Sequence, residues 1–412
     1  MRVFYDARWI LVENRFDGVS RYSHELAWAL SRQPNIEMTW IVHDERQLAK
    51  LPEGEHVLLN RPENAMKELF LPRHLNKLGA KIVYSPFFVM GTLGKRYKLV
   101  LTIHDMIYFT HRIPPQWFPW YIRLGWRLFH LTYTPMRWQL NHADVVATVS
   151  ETARHELIDA RATKREIVAV ANAVNENFAE EDGRWKMVDG RWRGTAEAAG
   201  EPGTVSEQSA ARAAADAYLT AARSEAVSTP HPTNPHYKSN SIVYMGAFTP
   251  YKNVDCLIDA LALLPEITLH LCGKMPPVRR KEIEAHMKEV GVADRVVIYD
   301  GATDDQYKQA LSEARCSISA SRLEGFGLPV LEAQQRGVPF IAADTPIFHE
   351  IGLNSVLYFD PDVPEKAAER VRQLADKEVS ENYIARGFEN ITRYTWANSA
   401  QTATEICTKL TK

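Results

Sequence analysis

The sequence predicts an α/β protein made of two Rossmann-like domains facing each other across a cleft, with an inserted segment near 178–240. Three observations predict it. At 412 residues the chain is too long for one ordinary hydrophobic core. Short β-rich apolar runs alternate with helical patterns in both halves, the signature of parallel sheets covered on two faces. The stretch between the halves breaks with both in composition.

Taken in order, "RVFYD" (2–6) is the first strand, and a helix starts near Gly18. Strands follow at "MTWIVHD", "KIVYS", "KLVLTIHD" and "DVVATVS", then a helix at 151–160 and a last strand, "IVAVAN" (167–172). These give an N-terminal domain over 1–177. The segment 178–240 holds "DGRW" twice, with Asp189-Gly190 suited to turn a small hairpin. It also holds an Ala-rich helical piece (209–226) and the polar, proline-containing linker "STPHPTNPHYKSN" (228–240). The C-terminal domain, 241–391, has strands at 241–246, 267–273, 295–301, 316–321, 338–344 and 355–360. Between them lie helices at 253–264, 278–290, 304–314, 329–336 and 364–376. Residues 392–412 read as a final crossover helix.

Composition narrows the function classes. Hydrophobic residues are 45% and charged residues 24%, ordinary for a globular protein, and the net charge of -2 gives no bulk attraction to nucleic acid. The cysteines, Cys256, Cys272, Cys316 and Cys407, form no Cys-x-x-Cys pair and read as reduced thiols. No run reaches the roughly 18 apolar residues of a membrane span, and the start reads as a strand rather than a signal peptide, so a cytosolic location is expected.

The most informative stretch is "EGFGLPVLE" (324–332), in which two carboxylates bracket a glycine loop that opens a helix. Pro329 suits the first helical position and Gly337 the far end. Free N–H groups at Phe326, Gly327 and Leu328 would form an anion site suited to a diphosphate. Glu332 is placed to accept hydrogen bonds from a ribose diol, and Glu324, at the strand end, to meet a sugar carried on the diphosphate. Read without further context, the pair fits a helix cap plus a surface glutamate equally well.

"SRLEGFGLPVLEAQQRGVPFIAAD" resembles the signature of glycosyltransferase family 4, retaining enzymes of the GT-B fold, with Glu324 and Glu332 matching its Glu-x7-Glu motif. "TRYTWANSA" (392–400) resembles the family's last crossover helix, which packs back on the N-terminal domain. "DGVSRYSHEL" (17–26) resembles a glycine loop and helix of mannosyltransferase-like members. The resemblance implies catalytic roles for Glu324, His104 and Lys252, and donor binding by Gly18, Lys252, Phe326, Gly327, Leu328 and Glu332. Asp105, Arg21, Asn172 and Lys274 are further candidates. Many relatives place an Arg five residues before the lysine; here that position is Ala247, and Arg21 or Lys274 could compensate.

The resemblance implies hexosyl transfer, mannose favoured, from a nucleotide-diphosphate sugar to a glycan or lipid-linked acceptor. It implies no cofactor and no metal ion: Lys252 and the loop amides would stabilise the departing diphosphate. The alternatives are a UDP-hexose-dependent transferase with a soluble acceptor, a sugar-nucleotide epimerase, and a catalytically silent nucleotide-sugar-binding protein. Domain closure is expected, with hinges near 172–240 and around Trp396.

The N-terminal half carries one further pattern. Between Met106 and Ala143 there is no Asp or Glu, but there are Arg112, Arg123, Arg127 and Arg137, together with Trp117, Trp120, Trp126 and Trp138. Such a basic, aromatic surface suits peripheral contact with an anionic membrane. The competing reading of "WFPWYIRLGWRLFHL" is a buried helix with its arginines reaching outward.

Overall fold

The computed structural model describes residues 1–12, 18–60, 65–114, 119–174, 185–188, 191–194 and 237–412. The predicted Ala-rich helix at 209–226, the Asp189-Gly190 turn and Trp117 lie outside them.

Two parallel sheets organise the chain. The first has seven strands in the order β3-β2-β1-β4-β5-β6-β7. Its members are β1 (Arg2–Asp6), β2 (Glu37–Val42), β3 (Glu55–Leu58), β4 (Ile82–Ser85), β5 (Lys98–Thr102), β6 (Val145–Thr148) and β7 (Glu166–Ala169). β8 (Trp185–Val188) and β9 (Arg191–Gly194) pair antiparallel by themselves, in keeping with the small hairpin expected from Asp189-Gly190. The second sheet has six strands in the order β12-β11-β10-β13-β14-β15. They are β10 (Ser241–Met245), β11 (Thr268–Gly273), β12 (Val296–Asp300), β13 (Cys316–Ser319), β14 (Phe340–Ala343) and β15 (Val356–Phe359).

The central strands are the apolar ones. β4, β6, β13 and β14 are buried throughout, because helices cover both faces and leave no position for a solvated side chain. β3 is an edge strand, "EHVL", mostly exposed, and its lack of a continuous apolar run hid it from the sequence reading. All four cysteines are buried free thiols, as expected.

Strand order reverses between β1 and β4 in the first sheet, and between β10 and β13 in the second. Ligands of open α/β sheets bind beyond the carboxyl ends of strands at such switch points. The segments leaving these strands and their neighbours carry Gly18, His104, Lys252 and Glu324.

The helix Trp396–Thr411 returns to the first sheet. Trp396 packs edge-on against Tyr22 with ring centroids 5.8 Å apart, and Ser399 Oγ donates to the Ala171 carbonyl at 2.6 Å. Lys409 Nζ lies 2.7 Å from Glu166. One apolar cluster therefore runs from Tyr22 and Leu26 through Ala400 and Cys407 to Phe326 and Phe348.

The reading of "WFPWYIRLGWRLFHL" as a buried helix is overturned. The helix Trp120–Phe129 has no buried residue, and Trp120 is 76% exposed. Of its apolar side chains only Trp126 and Phe129 turn inward, onto Tyr108 and Phe109, while Trp120, Tyr121, Leu124 and Leu128 face outward.

Candidate active site

The glycine loop is shaped by two close approaches. Gly327, at φ 92°, precedes the helix Leu328–Gln335, and a Cβ there would lie 3.2 Å from the Phe348 ring. Only glycine adopts that backbone without strain. At Gly325 a Cβ would lie 3.1 Å from the His104 carbonyl and 3.2 Å from Asp105. This is where the loop after β13 passes against the segment after β5. The helix begins at Leu328, one residue earlier than predicted, so Pro329 sits at its second position. Gly337 terminates it at φ 67°.

Lys252 closes a short 3-10 turn, Pro250–Lys252, after β10. The Arg322 amide donates to the Tyr251 carbonyl at 2.8 Å, which ties this turn to the glycine loop. Lys252 Nζ consequently lies 2.6 Å from Glu324 Oε1, with both side chains largely buried. Asp105 is beside them and accepts from the Ile107 amide at 3.0 Å. Burial pushes the Asp105 carboxyl above its usual range, partly offset by that bond and by the Lys252 charge.

Glu332 faces the other way. The sequence reading leaves its carboxylate open to a ligand; instead Arg21 Nη1 binds Glu332 Oε1 at 2.5 Å, and Arg21 Nη2 lies 3.4 Å from Asp304. Glu332 is buried beside the buried Tyr307. Burial pushes the Glu332 carboxyl up, and the Arg21 charge offsets this only in part. Arg21 comes from the helix Gly18–Ser31 that follows β1, so this pair joins the two sheets.

His104 Nε2 donates to the Pro86 carbonyl at 2.9 Å, and the ring packs edge-on to Tyr22 at 4.9 Å. In the neutral ring this assignment leaves Nδ1 as the acceptor. Gly18 opens its helix, and a Cβ there would meet no atom of the described residues within 4 Å. Asn172 is buried, its Oδ1 accepting from the Ala173 amide at 2.9 Å next to the Ser399 attachment. Lys274 is exposed after β11. The structure thus groups Glu324, Lys252, Asp105 and His104 around Gly325, and Arg21 with Glu332. Asn172 and Lys274 make no described contact with either group.

Sequence reasoning also missed two contacts that join the helix start at 150–152 to the second sheet's side. The Glu350 carboxylate accepts from the Glu151 and Thr152 amides at 2.7 and 2.6 Å, capping the helix Glu151–Asp159 from the opposite side of the cleft. Ser150 Oγ donates to the Gly325 carbonyl at 3.0 Å. The only local signal was "SET" as a helix start.

Comparison with known proteins agrees with this layout. Residues 16–178 match the family model described as Glycosyltransferase Family 4, and residues 229–389 match Glycosyl transferases group 1. The chain belongs to the family 4 glycosyltransferases. The fold of this family 4 chain is GT-B. It superposes on sucrose-phosphate synthase from Thermosynechococcus elongatus with a TM-score of 0.68 at 17% identity, covering 99% of this chain and 98% of that one.

Two curated relatives bear on this family 4 chain. The O-antigen chain mannosyltransferase RfbU of Salmonella typhimurium is 28% identical over 162 residues, 37% of this chain and 45% of the relative. The GDP-mannose:cellobiosyl-diphosphopolyprenol alpha-mannosyltransferase of Xanthomonas oryzae is 26% identical over 168 residues, 38% of this chain and 43% of the relative. The matched part of this chain spans less than half the length of each.

Proposed function

We propose that the chain transfers a hexosyl group, mannose favoured, from a nucleoside-diphosphate sugar to a glycan or lipid-linked acceptor with retention of configuration. The observation that carries this reading is the pair of cation–carboxylate contacts around the glycine loop. Lys252 on Glu324 and Arg21 on Glu332 hold two cations and two carboxylates beside the amides that open the helix Leu328–Gln335.

A diphosphate at those amides competes with the carboxylates for Lys252 and Arg21. Each carboxylate released from its cation becomes an acceptor for hydroxyl groups, Glu332 toward the ribose and Glu324 toward the donor sugar. Arg21 thereby supplies the second cation that Ala247 does not. Negative charge grows on the leaving diphosphate in the transition state, and Lys252 stabilises it there more than in the ground state. The acceptor hydroxyl attacks from the face the diphosphate leaves, and its proton passes to a diphosphate oxygen. No side-chain nucleophile is required, and no metal ion.

Mannose and a guanine base are favoured by the "GVSRY" and "HD" resemblance; both relatives are mannosyltransferases, and the Xanthomonas oryzae enzyme uses GDP-mannose. A thermal-shift panel of GDP, UDP and ADP tests the base. Stabilisation by UDP without stabilisation by GDP reverses the choice in favour of a UDP-hexose.

The exposed Trp120–Phe129 helix supports peripheral contact with an anionic membrane. Trp120, Tyr121, Leu124 and Leu128 are exposed beside Arg127, in the segment without acidic residues. A neighbouring groove of about 680 Å³ is lined mainly by apolar side chains, among them Leu69, Phe88, Leu93, Phe129 and Trp138. Each lysine or arginine near an anionic surface contributes about 1 kcal/mol. Flotation with phosphatidylglycerol vesicles is expected to show binding that weakens with salt. Equal failure on anionic and neutral vesicles at low salt removes the membrane contact and leaves a soluble acceptor.

A further inference from the structure

We infer that the cavity between the helix Glu151–Asp159 and the Leu323–Glu324 turn receives the acceptor's terminal sugar, recognised by Glu156 and Asp159 as an uncharged, hydroxyl-rich ring. The inference rests on the transferase reading above and adds the acceptor class.

The cavity holds about 560 Å³, within the roughly 300–1,000 Å³ common for small-ligand clefts. One wall is Leu323 and Glu324, the latter held by Lys252 on its donor side. The facing wall is Glu156 and Asp159, three residues apart and so on one side of their helix. The remaining surface includes Met106, Ile107 and Tyr133. An aromatic ring with aliphatic neighbours covers the C–H face of a pyranose, and carboxylates accept from its hydroxyls.

The charges decide what kind of sugar fits. Glu156, Asp159 and Glu324 line the cavity together with Arg137 and Arg161, and Lys252 balances Glu324, so the carboxylates open to a ligand are those of Glu156 and Asp159. Arg137 is already engaged: Nη2 donates to the Ala160 carbonyl at 2.7 Å and Nε to the Arg161 carbonyl at 3.0 Å. It braces the wall and is not presented as a phosphate hook. A phosphorylated or carboxylated sugar seated against the wall of Glu156 and Asp159 would meet two carboxylates there, whereas a neutral one meets hydrogen-bond acceptors. Any phosphate on the acceptor then belongs outside the cavity, toward the basic segment around Arg127.

The register of the two walls is also fixed. Glu350 holds the first amides of the Glu151–Asp159 helix, and Ser150 holds the Gly325 carbonyl. The helix that carries Glu156 and Asp159 is thus fastened to the loop that carries Glu324. A sugar between them would lie next to the donor.

Saturation-transfer NMR with methyl pyranosides (mannoside, glucoside, galactoside and N-acetylglucosaminide) tests the site on the full chain in the presence of GDP or UDP. At least one methyl pyranoside is expected to bind. Its affinity should fall roughly tenfold in Glu156→Gln and further with Asp159→Asn, the scale of lost charged hydrogen bonds. Mannose 6-phosphate should bind more weakly than methyl mannoside. Binding unchanged in the double variant, preference for the phosphorylated sugar, or no pyranoside binding to the wild type each overturns the inference. Nucleoside diphosphate affinity, measured on the same samples, reports separately on the donor reading: its loss in the wild type defeats that reading, whatever the pyranosides do.

Discussion

Glu332→Gln separates the two tasks assigned to one carboxylate. In the protein the Glu332 side chain is 7% exposed and holds Arg21, itself 20% exposed, at 2.5 Å. Removing one partner of a fully buried pair costs about 3–5 kcal/mol. Three features reduce that here: the amide keeps an acceptor oxygen, Arg21 keeps Asp304 at 3.4 Å, and burying a neutral amide avoids desolvating a carboxylate. A stability loss of about 1 kcal/mol is therefore expected, a melting shift of only about 1–3 °C for a chain of this size. For the nucleotide, two charge-assisted bonds to the ribose would be worth about 3 kcal/mol or more. Part is offset because Glu332 must give up Arg21 first. The net expectation is about 1–2 kcal/mol, roughly five- to thirty-fold in Kd by titration calorimetry with GDP and UDP. The pH dependence has a sign. Burial raises the Glu332 carboxyl above its ordinary 4.5, so its contribution to stability is full below about 4.5 and is lost as pH rises through the raised value. Ribose binding needs the ionised form, so wild-type affinity should weaken as pH falls through that same raised value, and the Gln variant should lack this step. Unchanged affinity in Glu332→Gln, with no lost pH step, refutes the ribose assignment.

Other outcomes follow from the same geometry. Glu324→Gln should lower turnover more than donor affinity, because the carboxylate is placed against the sugar and not the nucleotide; steady-state kinetics with separate nucleotide titration checks this. Lys252→Ala should lower kcat by roughly 10²–10³-fold, the scale of a lost transition-state cation, and an effect confined to KM would contradict it. Glu350→Ala leaves the Glu151 and Thr152 amides without their carboxylate and should cost about 1 kcal/mol. In small-angle scattering it should shift the chain toward a larger radius of gyration, with an unchanged profile arguing that the cap does not hold the halves together.

The strands around the site were legible because burial on both faces forces continuous apolar runs. "CSIS" and "FIAA" read as sheet centre without any partner in view. β3 was not, since an edge strand with Glu55 and His56 facing solvent carries no such run. Glu324, Glu332, Lys252 and Arg21 were each visible as chemistry. Which cation would meet which carboxylate was not, because Arg21 and Glu332 lie 311 residues apart. The Glu350 cap was invisible for the same reason: neither helix is unusual until the two sheets face each other. The Trp120–Phe129 segment had a helical pattern compatible with burial or exposure, and only the tertiary structure, which packs Trp126 and Phe129 and leaves Trp120, Tyr121, Leu124 and Leu128 exposed, decides between them.

The central claim is retaining transfer from a nucleoside-diphosphate sugar, and proton NMR of donor turnover tests it most directly. The chain is incubated with GDP-mannose, and in parallel with UDP-glucose, in buffer containing EDTA, and the anomeric signal of the first sugar released or transferred is read before mutarotation. The account predicts release of nucleoside diphosphate from one of these donors, undiminished by the chelator, with the α configuration of the donor kept in the product. A β product, or no diphosphate released and no nucleotide bound with either base, would contradict it.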